Sequence, residues 1–424
     1  AAALRYLGPG YRFLTVLYAD GPVRSGVLHG NLVLYGTGDP TFGLDTAALA
    51  PFADSVVRAG IRRVRGDVIG DASFLGAELR GPGWDPDDFD RPWAAPAAAL
   101  GAAENRIRIR VTPAARAGQP ATVEVEPAND YYHVSSAVIT ARRGSLGAIS
   151  LRRGRARGVV EVFGAIAVGS SPWNGWVVVD EPAVYAAGML RRLLAARGVE
   201  VSGATRSVSD AAEARAQQML RRSSFRGDPF RGAIAVRRSE PLEQIVTMIN
   251  HRSHNLSAEL VLRSIGRMVS SSGTFASGAR AVARFLVDSV GIHPDQVLVS
   301  DGSGLSLLDQ ATPRSLVQLL AWMHGARGGE TFVRSLPLMG EGPRRRLAHT
   351  EAAGRVRAKT GTLDRVSALA GYVTAANGEE LAFAVIANDT PSIAHARRTQ
   401  DSLAVMLARL SREVPRRGRA TPRR

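Results

Sequence analysis

The last third of the chain sets the tightest limit on its fold. Segments 355–359, 366–373 and 381–386 read as three strands, the last two nearly continuous in apolar content, and a helical stretch follows over 393–410. Helices precede these strands. Leu242, Ile245, Val246 and Ile249 fall at helical spacing, as do Ala258, Val261, Leu262 and Ile265. Two more helices are expected, over 279–287 and from Pro313 through Trp322, where the proline takes a favourable first-turn position. Helices, then strands, then a helix imply an antiparallel sheet with helices packed on its faces.

The middle of the chain has another texture. Residues 106–111 and 122–126 alternate apolar and polar side chains as half-buried strands do, and one helix, 184–197, ends before Gly198. A chain of 424 residues exceeds what a single core usually holds. The expected architecture is an α/β (α+β) domain formed by residues 1–37 plus 235–414. A β-rich inserted region of one or two modules covers 38–234, and a basic tail covers 415–424.

Composition narrows the function. No run of about 18 apolar residues occurs, so no membrane-spanning helix is expected. The absence of cysteine removes disulfides and thiolate chemistry. A net charge of +16 invites a nucleic-acid partner, but the cations are arginines dispersed along the chain, a balance that base composition produces. Anionic envelope polymers are the expected electrostatic partner, not nucleic acid. The chain has neither an initiator Met nor a charged-then-apolar leader, and it opens inside a helical stretch at Ala1. Residues are therefore expected to precede it, a signal peptide among them.

Among the 54 Lys and Arg residues only position 359 is lysine. Lysine is a compact point charge that can give up its proton, whereas guanidinium stays protonated, so a lone Lys marks a place where ammonium chemistry is needed. It stands in Lys359-Thr360-Gly361-Thr362 on the first expected strand, and Ser253-His254-Asn255 falls at the junction of two expected helices. Ser-x-Asn followed by Lys-Thr-Gly supplies two of three elements of a serine acyl-transfer signature. Lys359 and Ser253 are candidate catalytic residues that share a proton-shuttling hydrogen bond. Asn255, Thr360, Gly361 and Thr362 are candidate substrate-binding residues. Asn255 orients an amide, the threonine hydroxyls meet a terminal carboxylate, the Thr362 amide faces the oxyanion, and Gly361 lets the backbone approach closely.

These residues resemble the peptidase S13 family of D-alanyl-D-alanine carboxypeptidase/endopeptidases, the class C low-molecular-mass penicillin-binding proteins. The likeness extends through Tyr6-Leu7-Gly8-Pro9-Gly10, Gly36-Thr37-Gly38-Asp39-Pro40-Thr41, Gly81-Pro82-Gly83-Trp84-Asp85, Asp301-Gly302-Ser303-Gly304-Leu305-Ser306 and Ala370-Gly371-Tyr372. It implies a penicillin-recognising serine acyl-transferase fold and hydrolysis of D-Ala-D-Ala peptidoglycan stem peptides through an acyl-enzyme. It also implies acylation by β-lactam antibiotics, a place in the periplasm or outer envelope, and no cofactor.

Two departures stand out. The middle residue of the Ser-x-Asn motif is His254, and Ser-x-x-Lys occurs nowhere, since position 356 is Val. By the resemblance, the nucleophilic serine and its lysine lie just upstream of Ala1, and the residues present are expected to be inactive without them. A β-lactamase and a nucleophile-free cell-wall binding protein are the competing readings.

Other features read as structural. His251 and His254 lack a third ligand for a metal. Asp301-Gly302-Ser303-Gly304 is expected to be a tight turn in the site wall and Gly36-Thr37-Gly38 another turn. Trp84, Trp93, Trp173 and Trp176 are expected to pack in cores or between domains.

Overall fold

The computed structural model describes residues 1–44, 46–156, 158–214, 232–341 and 346–412, so the expected basic tail over 415–424 lies outside the described residues. The fold is mixed α/β, with several sheets and helices on their faces.

Near the C-terminus, strands Val356–Leu363, Val366–Thr374 and Glu380–Ala387 form one antiparallel sheet. Side chains alternate between its faces. Val356, Ala358, Leu369, Val373 and Phe383 bury against Ala404 and Ala408 of helix Ile393–Arg409. On the other face Tyr372 packs with Leu320 and Leu336, from helices Pro313–Gly325 and Gly329–Ser335 and the residue that ends the latter, and its hydroxyl donates to the Leu320 carbonyl at 2.7 Å. Gly371 is dictated by packing, because a Cβ there would lie 2.1 Å from the Arg357 carbonyl oxygen. The first strand runs beyond the expected 355–359, through Thr360, Gly361 and Thr362. Apolar content hides these residues, but pairing of Gly361 with Ala368 and Thr362 with Ser367 keeps them extended.

The helices lie close to their expected places. Leu242–Arg252 and Asn255–Ser270 are separated by two residues. The next begins at Phe275 rather than near 279, because the Thr274 hydroxyl caps it by accepting the Ser277 N–H, and it passes after Arg284 into a π turn.

Residues 14–36 pair elsewhere. Leu14–Asp20 lies between Asn31–Gly36 and Ala233–Arg238, antiparallel to both, and the sheet continues in parallel through Val68–Asp71 to Thr205–Val208. In the β-rich middle, Arg106–Thr112 is flanked by Thr122–Glu126 and Trp173–Val178. Ile107, Ile109 and Val111 are fully buried while the intervening arginines face outward, as the alternation requires.

One cation ties the middle of the chain to the helices. Arg263, on helix Asn255–Ser270, is fully buried, and its guanidinium donates to the carbonyls of Gly273 at 2.7 Å, Glu78 at 2.5 Å, Leu75 at 2.7 Å and Ala97. It also lies over the Phe275 ring. A buried charge needs such saturation, since desolvating it unpaired is costly.

Candidate active site

Strand Val356–Leu363 is an edge strand. Among the described residues its outer side makes backbone hydrogen bonds only at its start, where the Met339 N–H donates to the Val356 carbonyl at 2.8 Å and the Ala358 N–H to the Pro337 carbonyl at 3.0 Å. Outward backbone groups recur at every second residue of an antiparallel strand. The Thr360 and Thr362 amides therefore point the same way as that of Ala358, and among the described residues no strand pairs with this part of the edge.

Lys359 pairs with Ala370 and so projects from the face that carries Tyr372. Its Nζ donates to Ser253 Oγ at 2.8 Å and to the Thr360 carbonyl at 2.6 Å. Ser253 reaches this position because helix Leu242–Arg252 ends on it. It adopts φ 54° and ψ 54°, a left-handed conformation, and the N–H groups of Ser253 and His254 both return to the Ile249 carbonyl. A non-glycine residue in this region is uncommon and strained, and such strain gathers at functional sites.

Asn255 opens the next helix. Its Nδ2 donates to the Trp93 carbonyl at 3.0 Å, which ties the turn to the middle of the chain. Trp93 is 48% exposed and Trp176 41%, so neither takes a core position, one of the two placements expected for them, while Trp84 is buried.

Thr360 and Thr362 alternate to the face opposite Lys359. Thr362 Oγ1 accepts from Arg397 Nη2 at 3.2 Å. Arg397, on helix Ile393–Arg409, was not a sequence candidate, because nothing in an arginine-rich helix distinguishes it. The geometry sets its guanidinium beside Thr362, so a hydroxyl and a cation stand together there. Gly361 lies on the Lys359 face, and a Cβ there would meet Ala368 Cβ at 3.5 Å, an ordinary contact. Packing does not demand this glycine. In protein expressed with whatever sequence precedes Ala1, Gly361→Ala is expected to melt at the wild-type temperature yet react with labelled penicillin about a hundredfold more slowly, the cost of a ligand displaced by about 1 Å. Equal acylation rates would remove Gly361 from the substrate path.

Carboxylates buried behind the turn hold the loop over 299–309. Glu259, fully buried, accepts the Gly302 and Ser303 amides at 2.7 and 2.9 Å. Asp301 accepts Trp84 Nε1–H at 2.8 Å and the Gly304 and Ser306 amides at 2.7 Å, and Asp309 accepts the Ser300 amide at 2.6 Å. The tight turn read from Asp301-Gly302-Ser303-Gly304 is present, with Gly304 at φ +77°. Burial, reinforced by the charge of Asp301, pushes the Glu259 carboxyl up to about 8 against the opposing amide bonds.

The folded chain therefore keeps a proton on Glu259 that the unfolded chain releases above its ordinary value near 4.5. Stability from this group is complete below that value and is lost as pH rises through the folded value, by up to about 1.4 kcal/mol per pH unit. Burial and Asp301 raise Asp309 as well, which adds to the same slope. Urea titrations at pH 5 and pH 8 are expected to show lower stability at pH 8, with a smaller difference in Glu259→Gln. Equal midpoints for the wild type would contradict the assignment.

Over residues 1–410 the sequence matches the D-Ala-D-Ala carboxypeptidase 3 (S13) family. The chain belongs to that family. It is 32% identical over 422 residues to a D-alanyl-D-alanine carboxypeptidase of Actinomadura sp., covering 96% of this chain and 74% of that protein. It is 25% identical over 397 residues to the D-alanyl-D-alanine carboxypeptidase DacB of Haemophilus influenzae, covering 91% of this chain and 78% of the relative. The crystal structure of penicillin binding protein 4 from Haemophilus influenzae superposes with a TM-score of 0.80 at 23% identity, over 95% of this chain and 88% of that one. That likeness establishes the penicillin-recognising fold. Among the described residues of this family member, no helix is long and apolar enough to cross a membrane.

Proposed function

We propose that this S13-family chain is a serine-type D-Ala-D-Ala carboxypeptidase/endopeptidase. It acts on peptidoglycan stem peptides through an acyl-enzyme, is acylated by β-lactams, and works in the periplasm or extracytoplasmic envelope. The observation that carries the reading is the 2.8 Å bond from Lys359 Nζ to Ser253 Oγ beside an open strand edge. Relatives named as D-alanyl-D-alanine carboxypeptidases support it, as does the Haemophilus influenzae protein crystallised with a β-lactam.

In this reading the peptide lies along the edge as an added strand, its backbone meeting Thr360 and Thr362. Its terminal carboxylate meets Thr362 Oγ1 and Arg397, and its scissile carbonyl turns toward the Thr362 amide, which stabilises the developing oxyanion. Asn255 exchanges the Trp93 carbonyl for the substrate amide. The Ser253–Lys359 pair carries a proton to the departing D-alanine amine. No Ser-x-x-Lys occurs in these 424 residues, so the attacking serine and its lysine are not assigned among them. Residues 1–37 plus 235–414 form the catalytic unit, and 38–234 the inserted region. The five-stranded sheet, which takes strands from both, joins them.

The test is to express the gene with whatever sequence precedes Ala1 and to incubate the product with a D-Ala-D-Ala-terminated stem peptide and with labelled penicillin. Release of D-alanine and a slowly released covalent adduct are expected. Rapid turnover of the drug would make the protein a β-lactamase, and neither adduct nor D-alanine would leave a binding protein.

A further inference from the structure

The helix that brings Arg397 to Thr362 meets the sheet along a narrow line. Its buried residues are Ala396, Gln400, Ala404 and Ala408, one at every fourth position of Ile393–Arg409. Apolar contact has no direction, so the three alanine methyl groups do not fix how far along the strands the helix lies. Gln400 does. It is fully buried, and a buried amide is costly unless its NH2 group and its oxygen both find partners.

Those partners come from two sides. Gln400 Nε2 donates to Ser367 Oγ at 3.1 Å, and Gln400 Oε1 accepts from Arg346 Nη2 at 2.8 Å. Guanidinium carries donors only, so the atom facing Arg346 is the oxygen, and the NH2 group is left for the sheet. Arg346 donates as well to Asp401 Oδ1 at 2.5 Å and to the Arg397 carbonyl at 3.2 Å, which clamps the amide onto its own helix. Ser367 lies directly opposite Thr362 in the ladder, so the two hydroxyls stand side by side on the face the helix covers. Arg397 precedes Gln400 by three residues and is its neighbour on the helix surface. Helix and sheet therefore meet in two polar rungs, Gln400 with Ser367 in the core and Arg397 with Thr362 at the exposed edge.

We propose that Gln400 is a positioning residue: its buried bond to Ser367 sets the register of helix Ile393–Arg409 on the sheet and so places the Arg397 guanidinium at Thr362. A lone buried amide fixes register among apolar contacts in coiled coils for the same reason. The buried rung dominates, because a misplaced Gln400 leaves polar atoms unpaired in the core, whereas Arg397 and Thr362 can each turn to water. A slip of one helical turn would carry Arg397 about 5.4 Å along the sheet, and a fraction of that exceeds hydrogen-bond reach. Under the function proposed above, on which this inference rests, the register decides how strongly a free terminal carboxylate is preferred to a blocked one.

The test uses protein expressed with whatever sequence precedes Ala1, with penicillin G and its methyl ester as probes. In a crystal structure of Gln400→Leu, a change that nearly conserves volume, the Arg397 guanidinium is expected beyond hydrogen-bond distance of Thr362 Oγ1. The wild type is expected to react faster with the acid than with the ester. Gln400→Leu should lose roughly tenfold of that ratio, the effect of one hydrogen bond to a charged group, while the ester rate stays within about threefold. A residue that only stabilises the fold would slow both probes alike. Adding Gln400→Leu to Arg397→Ala should change the ratio no further. Ser367→Ala, which removes only a hydroxyl, is expected to shift the ratio the same way and decides the matter should Gln400→Leu fail to fold. Arg397 still bonded to Thr362 in the Gln400→Leu crystal, or an acid-to-ester ratio equal to wild type in both variants, overturns the inference. A wild type that neither probe acylates counts against the proposed function instead, and the crystal structure still decides the register.

Discussion

Lys359→Ala, assayed in protein expressed with the sequence preceding Ala1, is expected to acylate with labelled penicillin about a thousandfold more slowly than the wild type, within the range set by losing a positioned proton-transfer group. Melting should change little. Lys359 is partly exposed, on an edge strand whose core contacts come from Val356 and Ala358. What disappears is the donor to Ser253 Oγ and to the Thr360 carbonyl, and with it the route for the proton to the leaving amine. Lys359→Arg is not expected to rescue the rate, because guanidinium keeps its proton and its planar fork does not fit a point contact. Acylation within threefold of wild type in a folded Lys359→Ala would remove lysine from the mechanism.

Arg263→Ala should unfold the protein far more readily while touching no reacting group. Four carbonyl oxygens lose their donor at once, and a fully buried side chain leaves a hole behind. Losses of this kind cost roughly 4 kcal/mol or more, so calorimetry should show a melting temperature lower by about 5 °C. Burial lowers the Arg263 guanidinium to about 10, which still leaves it charged at neutral pH. Arg263→Lys should recover only part of the loss, since one ammonium cannot span carbonyls from Leu75, Glu78, Ala97 and Gly273. A melting temperature within 2 °C of wild type for Arg263→Ala would show that the bonds contribute little.

The two predictions separate what a sequence can and cannot reveal. Lys359 was legible because it is the one lysine among arginines and because the strands around it carry a periodic apolar pattern. Arg263 was hidden for the converse reason, as one arginine among many on a helix whose apolar stripe was already accounted for. Arg397 was hidden in the same way. Ser253 was readable as part of a tripeptide, but the left-handed turn that aims it at Lys359 depends on where helix Leu242–Arg252 stops, a local balance that periodicity does not report. Partners more than a hundred residues away, such as Trp93 for Asn255 and Glu104 for His254, depend on how the inserted region docks. In the C-terminal half the order of the main helices and strands needed only local patterning and was recovered, but polar motif residues extended a strand, and the short helices Ala50–Arg58 and Gly329–Ser335 were not read.

The central claim is that the open edge of strand Val356–Leu363, with Ser253 and Lys359 beside it, receives the D-Ala-D-Ala end of a peptide and the β-lactams that imitate it. A crystal structure of the protein, expressed with the sequence preceding Ala1 and soaked with penicillin, tests this most directly. The drug's carboxylate is expected within hydrogen-bond distance of Thr362 Oγ1 and Arg397, its opened carbonyl on the Thr362 amide, and its side-chain amide on Asn255. Penicillin bound elsewhere, with the strand edge empty, would contradict the account.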